Sequence, residues 1–339
     1  MPLIRSASAR PPLHSFCLKD STPARGEEWA SWSLYGARLD RHARRAERQS
    51  WSVRPGAAEH LIGIECSTTV AIKRHRSSDG CNGELLREAR FLDACNGLPF
   101  LVGYQGLARD RATAELCLLT EFVGGPSLRD YLRGRRRGGH GARAMWQLLT
   151  AAQQMHERRV VHRDIKPANI LVGEDHRTVK ICDLGLAMHA SEPPPHAQAG
   201  TLAYMAPEVL LGRTDYDARV DTWSLGCVMA ELLGGRPLFE GTDEVEQLWA
   251  IYEVLDTTDG HQQHDGLREL FPEETLSEDG FVVLSGLLAF NSSNRLTADA
   301  ALRLPWFDNV GALALPKEEE AKKPLPIIPP PLPKKPKVF

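Results

Sequence analysis

The sequence has no apolar run of about 18 residues or more, the length that a membrane-crossing helix needs, so no membrane span is expected. It has no Cys-x-x-Cys pair. Its seven cysteines are scattered, which argues against a disulfide framework and a zinc site and favours a reducing compartment, cytoplasm and/or nucleus. The opening residues Met1-Pro-Leu-Ile-Arg-Ser lack the continuous apolar stretch of a secretory leader. Neither sign of charge dominates: 41 Lys and Arg face 44 Asp and Glu, for a formal net charge of -3. Without a basic field, no nucleic acid partner is expected. No internal repeat is visible.

What is there suits a soluble globular chain: 339 residues, 42% hydrophobic and 25% charged, enough for one two-lobed unit with a sizeable core. Residues 1–50, with Pro2, Pro11, Pro12 and Pro23 followed by a mixed-charge stretch from Arg38 to Arg48, read as an irregular N-terminal arm. Thr68-Thr-Val-Ala-Ile-Lys73 is β-branched and apolar, a strand ending in lysine. Leu85, Leu86, Ala89 and Leu92 fall at helical spacing between Glu84 and Cys95. Ala114 to Val123 is a second apolar strand, stopped by Gly124-Gly125-Pro126. Beyond Ser127 helices dominate: Ala144 to Arg158, Val220 to Leu233 and Phe281 to Phe290 are amphipathic. Strands first and helices after predict an α+β arrangement, a small sheet lobe and a larger helical lobe. Residues 309–339 are rich in proline and lysine from Pro324 to Lys337 and should be disordered, with polyproline II character.

One segment carries candidate chemistry: Val161-His-Arg-Asp-Ile-Lys-Pro-Ala-Asn-Ile-Leu-Val172. Phosphoryl transfer needs a carboxylate to orient a hydroxyl, oxygen ligands for a hard cation, and positive charge near the moving group. Asp164 fits the first role, Asn169 offers an amide oxygen, and Lys166 reaches the phosphoryl. In Lys180-Ile-Cys-Asp-Leu-Gly-Leu-Ala187, apolar residues lead to Asp183, a second metal-holding oxygen group, and Gly185 lets the chain turn. Cys182 reads as a small buried hydrophobe rather than a reactive thiol.

His162-Arg-Asp164, Asp183-Leu-Gly185 and Ala206-Pro-Glu208, in this order, resemble the catalytic loop, metal loop and end of the activation segment of eukaryotic protein kinases. Val70-Ala-Ile-Lys73 resembles the strand whose lysine grips the α- and β-phosphates, and Glu88 its ion-pair partner. Asp221-Thr-Trp-Ser-Leu-Gly226 and Arg295 resemble the buried aspartate segment and the arginine that pairs with Glu208. The resemblance implies a two-lobed kinase fold over residues 51–308, with the small lobe at 51–123 and the large lobe at 124–308. It implies ATP and Mg2+ as cofactors and a protein substrate, with Asp164, Lys166, Asn169 and Asp183 catalytic and Asn169 and Asp183 as metal ligands. Lys73, Glu88, Ala71, Glu121, Val123, Leu171 and Gly56 would bind the nucleotide. Thr120 would stand behind adenine, and Leu184 would take the packing place of a phenylalanine. Lys166 and Thr201 resemble the serine/threonine class, and Pro237 to Thr258 looks like the cyclin-dependent kinases, divergent plant forms in particular. A cyclin-like regulator is then implied as a partner.

The chain departs from that pattern in two places. Ahead of Lys73 the family has Gly-x-Gly-x-x-Gly, whose backbone N–H groups cover the phosphates. Here Trp51-Ser-Val-Arg-Pro-Gly56 offers only Gly56, Pro55 has no N–H, and Trp51 cannot approach a phosphate as glycine does. Either the lid is degenerate or the gene model misreads this stretch. The alternative to a working kinase is a pseudokinase-like binding module. In the activation segment, His196 stands where the cyclin-dependent group carries its activating threonine. Regulation there is absent, or uses Ser191 or Glu192. Met205 replaces the arginine beside the family's proline-reading pocket. Pro329-Pro-Pro-Leu-Pro-Lys-Lys335 fits a ligand of proline-recognising domains, and Lys334-Lys-Pro-Lys337 a weak nuclear import signal, beside the plain reading of a solvated tail.

Overall fold

The computed structural model describes residues 34–37, 61–62, 69–74, 82–110, 115–134, 141–255, 265–308 and 310. In chain order, three strands come first: β1 Leu34–Ala37, β2 Leu61–Ile62 and β3 Val70–Arg74. Helix α1 Gly83–Ala94 follows, then β4 Tyr104–Asp110 and β5 Leu116–Glu121. The five strands form one sheet in the order β1-β3-β5-β4-β2, and α1 lies against β4 and β5. Strand β3 lies inside the sheet between β1 and β5, and Val70, Ala71 and Ile72 are all buried, the continuous apolar run of a strand covered on both faces. A bulge between Tyr104 and Gly106 shifts the β4–β5 register, and Gly106 takes a φ of 120° there, open to glycine alone at no steric cost.

The irregular arm assigned to residues 1–50 needs correction. Leu34–Ala37 is a strand, antiparallel to β3 with Leu34 opposite Lys73 and Ala37 opposite Val70. The reason is physical: β5 covers only one edge of β3, and an unpaired edge on a buried strand would orphan its N–H and C=O groups. The sheet lobe therefore reaches back past residue 51. Gly56, Trp51 and Pro55 lie outside the described residues, as do the tail segment 311–339 and most of the arm.

The larger lobe begins with α2 Leu128–Gly134 and α3 Gly141–Glu157. Next come four short strands: β6 Val160–Val161, β7 Ile170–Val172, β8 Val179–Ile181 and β9 Met188–His189. They pair as β6 with β9 and β7 with β8. The remaining helices are α4 Pro207–Leu210, α5 Arg219–Gly234, α6 Glu244–Leu255, α7 Asp265–Leu270, α8 Glu278–Leu287 and α9 Ala298–Leu302. Helix α3 packs on α5, α9 and β8. Helix α5 is buried from Val220 to Glu231 and closes at Gly235, whose φ is 77° and whose N–H donates to the Glu231 carbonyl, a left-handed helix stop. A Cβ on Gly226 would stand 2.8 Å from Leu288, so the close approach of α5 to the end of α8 requires glycine. Helix α8 starts three residues before the Phe281 expected from apolar spacing, because Ser277 caps it by accepting from the Gly280 N–H.

Two loops matter for the site. Residues 162–169 join β6 to β7, and residues 182–187 join β8 to β9. The paired strands fix both ends of each loop. The lobes are joined at β8, where the Val102 N–H donates to the Ile181 carbonyl at 2.9 Å and the Ile181 N–H to the Phe100 carbonyl at 2.8 Å.

Candidate active site

Lys73 comes in from β3 and Glu88 from α1, and each is about 95% buried. The Lys73 ammonium donates to Glu88 Oε2 at 2.8 Å, to Glu88 Oε1 at 3.0 Å and to Asp183 Oδ1 at 2.9 Å. One cation thus joins the sheet, the helix and the β8–β9 loop. Burial alone would lower the Lys73 pKa, but the carboxylates of Asp183 and Glu88 raise it overall. Burial likewise pushes the Asp183 carboxyl up, and the Lys73 ammonium outweighs it, holding the group below the usual carboxylate range. Glu88 goes the other way: burial pushes its carboxyl up to about 7, with Lys73 opposing.

Asp164 sits among three donors. Thr201 Oγ1 donates to its Oδ1 at 2.7 Å, Lys166 Nζ lies 2.8 Å from its Oδ2, and Asn169 Nδ2 donates to the same Oδ2 at 3.0 Å. Lys166 also donates to Thr201 Oγ1 at 2.7 Å. Asn169 Nδ2 donates further to the Asp164 carbonyl at 2.9 Å, which turns its amide oxygen away from Asp164. The Asn169 carbonyl accepts from the Cys182 N–H at 2.9 Å, so this loop is laced to the residue before Asp183. Asp183 itself has a φ of 67°, a left-handed conformation that aspartate adopts more readily than most non-glycine residues, held by the fixed strand ends on either side.

Asp221 supports the whole loop from α5. Wholly buried, its Oδ2 accepts from the His162 N–H and its Oδ1 from the Arg163 N–H, both at 2.8 Å, and Oδ2 pairs with His156 Nε2 at 2.8 Å. Burial pushes its carboxyl up, but the bond to His156 and the nearby histidines pull it below the usual range. His162 Nδ1 accepts from the Asp164 N–H at 3.2 Å, which leaves Nε2 to donate to the Cys182 carbonyl at 3.1 Å. Leu184 is wholly buried in the same core as Leu92 of α1, the packing place expected of it. Cys182 is half-buried rather than fully buried as expected, and burial raises its thiol well above its ordinary value, which keeps it protonated.

The remaining expected residues fall as follows. Ala71 is buried on β3 opposite Thr120 of β5. The Glu121 N–H is taken by the Gly103 carbonyl at 2.8 Å, so only its carbonyl can face a base. Val123 follows at the crossing between lobes, and Leu171 is half-buried on β7.

Four further side chains tie the site together, and two of them, Lys180 and Arg87, had no sequence signal. Thr201 bridges Asp164 and Lys166. Lys180 of β8 pairs with Glu121 at 2.5 Å, a strut from the larger lobe to the crossing. Arg87 Nη2 donates to the Ala187 carbonyl at 2.8 Å, tying α1 to the start of the activation segment. Arg163 donates to the Leu186 carbonyl at 2.7 Å and to Tyr216 Oη at 3.0 Å, and the His196 ring packs on Tyr216 with centroids 5.2 Å apart. Protein groups thus already engage Arg163, the arginine that by the family resemblance would pair with a phosphate on the activation segment.

If Thr201 orients Asp164, Thr201→Ala should lower kcat about 10- to 100-fold, since a hydrogen bond to a charged group contributes about 1.5–3 kcal/mol. Thr201→Ser should restore most of it. Equal rates in all three proteins would remove Thr201 from the site.

Comparison with known proteins agrees with this geometry. The protein kinase domain family matches residues 56–307. A rice protein (Oryza sativa subsp. japonica) named "Putative cyclin-dependent kinase F-2" is 42% identical over 270 residues, covering 70% of this chain and 82% of that one. "Cell division control protein 2 homolog 3" of Trypanosoma brucei brucei is 36% identical over 280 residues, 75% of this chain and 88% of that protein. "Cyclin-dependent kinase 2" of Caenorhabditis elegans is 40% identical over 181 residues, 48% of this chain and 49% of its own. With three-quarters of its length matched and the ion pairs of Lys73, Asp164 and Asp183 formed, the chain belongs to the protein kinase family, as a serine/threonine kinase similar to the cyclin-dependent kinases.

Proposed function

We propose that the chain moves the γ-phosphoryl group of ATP to serine and threonine hydroxyls of protein substrates, with Asp164, Lys166, Asn169, Asp183 and Lys73 in the working roles. The observation that carries this is the single network in which Lys73 holds Glu88 and Asp183 while the Cys182 N–H bonds the Asn169 carbonyl. When bound, Mg·ATP supplies the transferable phosphoryl group and the cation that neutralises its charge. The donor set fits it: a carboxylate and an amide oxygen suit magnesium, which keeps waters and phosphate oxygens for its other positions. Asp183 and Asn169 would hold the cation, and Lys73, bonded to Asp183, would lie beside the phosphates.

Asp164 orients the acceptor hydroxyl and takes its proton as the oxygen–phosphorus bond forms and ADP leaves. Lys166 keeps positive charge beside that carboxylate. Thr201, bonded to both, suits the serine/threonine class. The test is phosphoamino-acid analysis of a labelled basic protein acceptor. Label on serine or threonine is expected, and label on tyrosine would overturn the assignment.

The names of the relatives support a role in the cell cycle and a cyclin-like regulator. The free cysteines Cys95, Cys117, Cys182 and Cys227 support the cytoplasm and/or nucleus. The engaged Arg163 favours a kinase that needs no phosphate at position 196. The proline-rich tail is read as a ligand for a proline-recognising surface.

The pH dependence follows from Glu88. Its carboxyl, pushed up to about 7, loses its charge as pH falls through that value, and the hold on Lys73 weakens. Activity should therefore fall on the acid side near neutrality rather than near pH 4, and Glu88→Gln should show a low rate without that limb. For folding the sign is reversed: a carboxyl held above its unfolded value favours the folded state at low pH and withdraws that contribution as pH rises through about 7. A wild-type acid limb below pH 5 would contradict this.

A further inference from the structure

Trp249 on α6 is the most exposed large apolar side chain among the described residues, at 69%, with Val245 one turn earlier at 62%. Its neighbours three and four positions away on the helix surface are Val245, Glu246, Tyr252 and Glu253. The Tyr252 ring lies 6.2 Å from the indole and 5.0 Å from Phe290, so one side of the indole is backed by a fixed aromatic and the rest faces solvent. An aromatic shelf of this kind is what a proline-rich strand docks on.

The rim is acidic. Glu240, Asp243, Glu244, Glu246 and Glu253 lie along or just before the helix, and no lysine or arginine occurs between Arg236 and Arg268. The chain carries the complement outside the described residues. Pro324 to Phe339 is mostly proline, leucine and isoleucine, carries Lys334, Lys335 and Lys337 just before Val338 and Phe339, and contains no acidic residue.

The reach is adequate. Val310 is bonded to the Phe307 carbonyl at 3.0 Å, and the neighbouring Trp306 is packed close over Gly280 near the start of α8. From there α8 spans about 15 Å towards Phe290, which touches Tyr252. Residues 311–323, extended, cover up to about 43 Å.

We propose that the Trp249 face of α6 is a docking surface for the chain's own C-terminal segment Pro324–Lys337, prolines against the indole and lysines against Glu246 and Glu253. The inference rests on the reading of the tail as a proline-rich ligand and is independent of catalysis.

The test uses full-length protein labelled with 5-fluorotryptophan, the Trp249 19F line being assigned by Trp249→Phe. Replacing Lys334, Lys335 and Lys337 with Glu should shift that line. A synthetic peptide of residues 324–339 added to this variant should move it back, and the wild-type line should not change on dilution. A Trp249 line identical in wild type and variant and unmoved by peptide overturns the proposal, and a wild-type line that moves on dilution assigns the face to a second copy instead. Titrating the same peptide against an isolated SH3-type domain separates the two failures. If it binds there but leaves Trp249 unmoved, the ligand reading survives and this docking fails; if it binds neither, both fail.

Discussion

Replacing Asp183 with Asn should reduce phosphoryl transfer about a thousandfold or more while the protein stays folded. The substitution keeps shape and size and removes one negative charge. That charge is the partner of Lys73 at 2.9 Å and, in the proposed mechanism, the main protein ligand for the cation. Metal charge stabilisation contributes several kcal/mol to such a transition state, and each 1.36 kcal/mol is tenfold in rate. Because burial is outweighed by Lys73 in setting this carboxyl below its ordinary range, the charge is present in the working protein and the substitution removes it. Folding should suffer less than catalysis, since Lys73 keeps both oxygens of Glu88. The ratio of initial rates at saturating Mg·ATP, beside circular dichroism of both proteins, measures this. A variant within tenfold of wild type would remove Asp183 from the metal role.

The largest expected effect on stability lies away from the nucleotide. Arg295, 2% exposed, donates to Glu208 Oε1 at 2.7 Å and Oε2 at 2.8 Å, and to the carbonyls of Ala289 and Arg219 at 2.9 and 3.0 Å. Its guanidinium also lies 5.0 Å from the Trp223 ring. This pair ties the end of the activation segment at α4 to the loop after α8. Arg295→Leu should cost about 3–5 kcal/mol, because it leaves the Glu208 carboxylate buried without its partner. Adding Glu208→Leu should return part of the loss, since a buried pair replaced on both sides by apolar groups is often near neutral. Denaturant midpoints of the three proteins at a common slope measure it. A single variant within about 1 kcal/mol of wild type would mean that the pair behaves as a surface contact.

Much of this site was legible before any fold was known, because side chains whose chemistry is their function cannot be exchanged. Lys73, Glu88, Asp164, Lys166, Asn169 and Asp183 each stand in a short motif, and the structure gathers them into two bonded clusters, Lys73 with Glu88 and Asp183 and Asp164 with Lys166 and Asn169, linked by the Cys182 N–H to the Asn169 carbonyl. What could not be read is carried by backbone atoms or by register. Asp221 was marked by resemblance to a buried aspartate segment, but its partners, the N–H groups of His162 and Arg163, were not, since every residue but proline has such a group. Thr201 was marked only as a sign of the serine/threonine class, and its bond to Asp164 exists only in the fold. The strand Leu34–Ala37 is only four residues long and contains Gly36, so its alternation is too short to stand out from the arm around it. Its pairing with β3 is a long-range contact with no local signature.

The most direct test of a working phosphotransfer site is transfer of label from γ-labelled ATP to a basic protein acceptor by the full-length wild-type chain, with and without magnesium. The network of Lys73, Asp164, Asn169 and Asp183 predicts transfer that requires magnesium. No transfer by protein shown to be folded would contradict it and leave a nucleotide-free binding module in its place.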